Sequence, residues 1–187
     1  MSITSTASRI PQSALLLCLA LCTPLAVAGD DNDRSSVNVS FGRGLNTAQP
    51  GNSVNHAILP GRISVKEGGV VDFGVAGFHD IIVFKPGVQL QDLRDAGGGD
   101  FPTFPPVFVF QPDPALPFNA PSLADKVYYR GLNPAGGPAA TPVQPNPTNV
   151  LNRSEPVAFL EPGTYLVICN VRPHLLDGMY AYVKVTH

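Results

Sequence analysis

The sequence predicts an all-β fold, with short strands packed as a two-sheet sandwich. Three observations lead there. No long segment repeats its apolar residues with a helical period. Twenty prolines and 18 glycines punctuate the 187 residues, as expected of strands joined by turns. Between those breaks lie period-2 runs rich in Val, Ile and Phe, and several of them are apolar on both faces.

Residues 1–28 read as an export signal. Arg9 gives a modest positive start, Ala14-Leu-Leu-Leu-Cys-Leu-Ala-Leu-Cys22 is an apolar run too short to span a bilayer, and Ala26-Val-Ala28 is an A-x-A cleavage signal. A rival reading is a lipoprotein signal ending at Cys22, but Leu21 stands where a small residue is expected. Cleavage would leave residues 29–187 as a single domain in a periplasmic or secreted location. It would also remove Cys18 and Cys22, so that Cys169 stands as the sole thiol. A lone thiol in an oxidising compartment has no disulfide partner and is a liability unless it is buried or bound to metal. The formal net charge of −2 offers nothing to nucleic acid or to an anionic membrane. No later segment reads as a stable membrane anchor.

In chain order, Val37–Phe41 alternates and reads as the first strand, and Gly42–Ser53 as loop. Arg62–Lys66 and Val70–Val75, separated by Glu67-Gly-Gly69, read as a hairpin. Phe78-His79-Asp80-Ile-Ile-Val-Phe84 is a further strand, stopped by Lys85-Pro86-Gly87. The signal weakens over a Pro/Gly-rich insertion of about 86–156, where Val107–Phe110 and Lys126–Tyr129 are the strand candidates. Pro156–Phe159, Thr164–Cys169 and Met179–Val185 complete the set. Ile81 and Val83 share the face of His79, while Ile82 and Phe84 oppose it. Tyr165 and Val167 share the face of Cys169, while Leu166 and Ile168 oppose it. An outer face that apolar needs a cover, and the insertion is the segment expected to supply it.

The chemistry gathers in Gly163-Thr-Tyr-Leu-Val-Ile-Cys169-Asn-Val-Arg-Pro-His174-Leu-Leu-Asp-Gly-Met179. Thiolate, imidazole and thioether within one strand–loop–strand unit suit copper, which cycles between Cu(I) and Cu(II). His79, near a strand end at the same pole, is the best second imidazole. His56 reads as structural or surface, and His187 as an exposed terminus. Any one of these residues alone is more often a plain core residue. The four together, with the lone thiol, favour a metal centre.

This pattern resembles the cupredoxin family, the type 1 (blue) copper proteins. The resemblance runs from about Ile63 to Val185, with the insertion loosely covered. The Cys-x₄-His-x₄-Met spacing is similar to that of longer-looped members such as auracyanin and rusticyanin, rather than plastocyanin. It implies an eight-stranded Greek-key β-sandwich that binds one type 1 copper. His79, Cys169 and His174 would be the strong ligands and Met179 the axial one. One departure is Asp80, where the family usually has an Asn that bonds across to the ligand loop. A carboxylate cannot donate that bond unless protonated, so Asp80 is expected to accept from backbone N–H groups at Asn170 or Val171. Its negative charge near the metal would favour Cu(II) and lower the potential.

The implied function is one-electron transfer between redox partner proteins, which would dock near His174 on an apolar patch of Pro173, Leu175 and Leu176. The alternatives are a copper-binding accessory or storage protein, and a scaffold of this fold that binds a partner without redox chemistry. Multicopper catalysis needs many more histidines, typically as His-x-His pairs. This chain has four histidines and no such pair, so it does not read as an enzyme.

Overall fold

The structure is a computed structural model. It describes residues 35–42, 55–102, 109, 121–132 and 151–187. The expected export signal, most of the loop after Phe41, the strand candidate Val107–Phe110 apart from Val109, and the proline-rich run from Asn133 all lie outside those residues.

The described chain runs β1 (Ser36–Phe41), β2 (Ile58–Leu59), β3 (Arg62–Lys66), β4 (Gly69–Ala76), β5 (Ile81–Phe84), α1 (Leu90–Ala96), a 3₁₀ turn (Pro121–Lys126), β6 (Val127–Arg130), β7 (Asn152–Phe159), β8 (Gly163–Cys169), α2 (Arg172–Leu176) and β9 (Tyr180–Thr186). The strands form two mixed sheets, ordered β2-β1-β4-β7 and β3-β9-β8-β5-β6. Val37, Val39, Phe41, Val71, Phe73, Val75, Val157 and Phe159 of the first sheet share one core with Ile63, Val65, Ile81, Val83, Tyr165, Val167, Cys169, Ala181 and Val183 of the second. This is the predicted all-β sandwich, held by alternating apolar faces.

The hairpin expected from Arg62–Val75 does not form. β3 pairs in parallel with β9, whereas β4 pairs in parallel with β1 and antiparallel with β7. The chain changes sheets between two consecutive residues: the Glu67 amide donates to Thr186 of one sheet and the Gly68 amide to Phe159 of the other. Ile63 and Val65 therefore face Val71 and Phe73 across the core rather than sideways. Period-2 alternation around a turn is the same for a hairpin and for an arch between sheets, so the pattern could not separate them.

Pro156 sits inside β7 opposite Asp72. β7 is an edge strand of its sheet, where the missing amide hydrogen costs no ladder bond.

The double-sided character of the central strands is accounted for by a second core. Ile82, Phe84, Leu166 and Ile168 point outward from the five-stranded sheet. They are buried with Val88, Leu93, Phe101, Val109, Leu123 and Leu175. All but Leu175 of those covering residues come from segment 88–123, so part of the insertion closes the outer face. The insertion also supplies β6, which extends the sheet beside β5.

Candidate metal centre

Three donors converge at one pole of the sandwich. Cys169 ends β8, and pairing of Ile81 with Cys169 in the ladder brings the start of β5 beside it. His79 lies two residues before that paired position, in the turn between β4 and β5 rather than inside the strand. His174 sits in α2, which fills the loop after Cys169, and Val171 precedes that helix in extended conformation with Pro173 in its first turn. The Cys169 amide donates to the Met179 carbonyl, and the Met179 amide to that of His174. These two bonds fold the loop back on itself, so that cysteine, histidine and methionine are held by one closed backbone circuit.

His79 Nδ1 is 3.0 Å from His174 Nδ1, and each is 3.6 Å from Cys169 Sγ. A point equidistant from the three lies about 2 Å from each, near the usual metal–imidazole length of ~2.0–2.1 Å. His79, Cys169 and His174 form a buried group of metal-capable side chains. Met179 is fully buried in the core cluster that also contains Cys169.

Burial sets the protonation of the donors. Removal from water disfavours the charged form of each. It lowers His79 to about 4, with the neighbouring His56 and Arg153 acting in the same direction. It lowers His174 to about 3 and pushes the Cys169 thiol up to about 12. At neutral pH the site therefore holds two neutral imidazoles and a thiol. Two ring nitrogens 3.0 Å apart cannot both turn lone pairs on each other without a proton or a cation between them. A soft thiolate with two imidazoles is a donor set that copper selects, so the cluster fits a type 1 copper site.

The surroundings orient the donors. His79 makes a hydrogen bond to the Ala76 backbone. Its Nε2 lies on that side, because a Cβ built on Gly42 would fall 2.6 Å from the Ala76 carbonyl oxygen and 2.8 Å from His79 Nε2. Arg153 Nη2 donates to the His79 carbonyl at 2.8 Å and to that of Leu132 at 3.0 Å. Asp80 is completely buried. Its carboxylate accepts from the side-chain amide of Asn170 at 2.7 Å, and its carbonyl accepts from the Asn170 backbone amide at 2.6 Å. The Asn170 backbone amide expected from the sequence does donate to Asp80, but to its carbonyl; the donor to the carboxylate is the Asn170 side chain. The side chains of Asp80 and Asn170 thus bridge the segments that carry His79 and Cys169, with residue 80 as the acceptor.

One further expectation is corrected. Leu175 belongs to the second core, 2% exposed, and does not line a surface patch. Pro173 and Leu176 remain exposed beside His174, with Leu176 at 49%. Of the two readings of His56, structural or surface, the structure takes the first: it is buried and stacks on His174. Its sequence neighbourhood, a short apolar piece before Pro60, held no sign of this. His187 is exposed, as expected, 3.5 Å from Glu67.

No family model matches the sequence, and no curated protein matches it. Among solved structures, the chain is similar to an auracyanin from Roseiflexus castenholzii at 16% identity, with 83% of this chain and 99% of that one covered and a TM-score of 0.45. It is also similar to auracyanin A of Chloroflexus aurantiacus, a blue copper protein (18% identity, 81% and 98% covered, TM-score 0.41). Plastocyanin from Dryopteris crassirhizoma matches at 16% identity, with 80% and 100% covered and a TM-score of 0.36.

Proposed function

We propose that this chain is an exported type 1 copper protein that carries single electrons between redox partners, with His79, Cys169, His174 and Met179 as its ligands. The observation that carries the reading is the buried triangle of two Nδ1 atoms and one Sγ, with edges of 3.0–3.6 Å. Bound copper would supply one-electron Cu(I)/Cu(II) exchange. The chain's part is to hold a ligand set intermediate between the preferences of the two oxidation states, so that little moves when an electron arrives. Four protein donors leave no open position for a substrate, which argues for a carrier rather than an enzyme. His174 is the more accessible imidazole, 7% exposed against 2% for His79. Electrons would pass at its edge, beside the exposed Pro173 and Leu176. Among the described residues no helix is long and apolar enough to cross a membrane.

Addition of Cu(II) to the purified protein tests the reading. Stoichiometric uptake with an intense band near roughly 600 nm, from thiolate-to-Cu(II) charge transfer, is expected. Cys169→Ser should remove the band. A colourless protein after Cu(II) addition would overturn the proposal.

A further inference from the structure

His56 stands outside the proposed ligand set, yet its ring lies flat on that of His174, with centroids 3.7 Å apart and planes inclined by 23°. It also meets His79 edge-on at 6.1 Å. The residue is 8% exposed, and its ring Nδ1 lies 2.6 Å from Asp177 Oδ2. Asp177 caps the C-terminal end of α2, the helix that carries His174. His56 comes from a different part of the chain, the segment ahead of β2. That segment is fastened to the end of β1 by the Gly42 amide, which donates to the Ala57 carbonyl at 2.8 Å. One side chain thus bridges the first sheet and the ligand loop.

The two ligand imidazoles differ in how they are steadied. A metal-ligating histidine is normally oriented by a hydrogen bond from its second ring nitrogen. His79 has one, to Ala76. Among the described residues His174 has none beyond its Nδ1 contacts with His79 and Cys169. The stacked ring of His56 instead covers one face of the His174 imidazole. Its own Nε2 is buried without a hydrogen-bond partner among the described residues, an arrangement that costs stability. An apolar ring would avoid that cost but would lose the tie to Asp177.

We propose that His56 is a positioning residue for the metal centre: its ring, tied to Asp177, clamps the His174 imidazole in ligating orientation and screens it from water. The consequence for copper rests on the copper reading. The clamp itself can be measured without metal.

The test uses the full protein with His56→Ala, His56→Phe and Asp177→Ala, each checked for folding by circular dichroism. In the metal-free proteins, NMR relaxation of the His174 ring is the readout. In the loaded proteins it is the rate of copper loss to excess chelator. His56→Ala is expected to free the His174 ring and to speed copper loss by roughly ten- to a hundredfold, the range seen when supporting residues of metal ligands are removed. His56→Phe keeps a flat ring and should restore most of the order and retention. Asp177→Ala should loosen the ring less than His56→Ala does. An unchanged His174 ring in His56→Ala, or a His56→Phe protein indistinguishable from it, would overturn the clamp. If the wild type takes up no copper, the copper reading fails by itself, and the metal-free ring measurement still decides the positioning role.

Discussion

Cys169 is buried in an apolar strand end, and its thiol is pushed up to about 12 because the thiolate would have to leave water. A metal must displace that proton. His79 and His174, lowered to about 4 and 3, are already neutral near pH 7 and release nothing. Copper uptake should therefore liberate one proton, and apparent affinity should rise about tenfold per pH unit between roughly pH 6 and 8. Calorimetry in buffers of different ionisation enthalpy counts the proton; a count of zero would contradict a thiolate ligand. Asp80 is the second residue-level determinant. Burial raises its carboxyl to about 6, so at pH 8 it is charged beside the donor cluster. Asp80→Asn keeps an amide that can bond to Asn170, removes the charge, and should raise the reduction potential in voltammetry at pH 8. An unchanged potential would remove Asp80 from the account.

Two contacts between elements set where His79 stands. Gly42, just after β1, has a φ of +96° and leaves no room for a Cβ between Ala76 and the His79 ring. Gly42→Ala should cost about 1–3 kcal/mol from backbone strain alone. It should also displace the His79 ring, seen as lower thermal stability together with weaker copper retention. On the other side, Arg153 Nε binds Glu155 at 2.6 Å, with side chains only 5% and 1% exposed. Glu155 also accepts from the Tyr129 hydroxyl and the Leu132 amide. The network joins β7 to β6 and reaches the His79 carbonyl through Arg153. Arg153→Met would strand a buried carboxylate, at about 3–5 kcal/mol in denaturant unfolding. Arg153→Met with Glu155→Gln should recover much of that loss.

At the scale of the whole molecule, two cores flank the five-stranded sheet, and the ligand loop touches both. Cys169 belongs to the inner core and Leu175 to the outer. The Val109 amide donates to the Asn170 carbonyl, and Arg172 pairs with Asp100 at 2.6 Å. The covering segment thus supports the loop that carries the candidate donors as well as the sheet. Leu93, fully buried in α1, is the probe. Leu93→Ala should cost about 2–5 kcal/mol in unfolding, and proteolytic removal of the cover should destabilise the domain. A cover excised without loss of stability would mean that the outer core contributes little.

The strands of the two cores were legible in the sequence because a strand writes its burial in its own period: Ile81 and Val83 against Ile82 and Phe84, Cys169 against Ile168. The candidate donors were legible because Cys169, His174 and Met179 lie on one strand–loop–strand unit, and their chemistry is carried by residue type and spacing. What joins distant segments was not legible. Nothing local says that Glu67 and Gly68 bond to different sheets, that Leu175 turns inward, or that His56 lies on His174. Nor does it reveal that Asn170 supplies the bond that Asp80 cannot donate, or that Arg153 reaches the His79 carbonyl. By itself the sequence determined the all-β pattern and the donor types, which depend on short-range periodicity and side-chain chemistry. The tertiary structure alone decided strand pairing, the second core and the supports around the donors, because those follow from which surfaces meet when the chain closes.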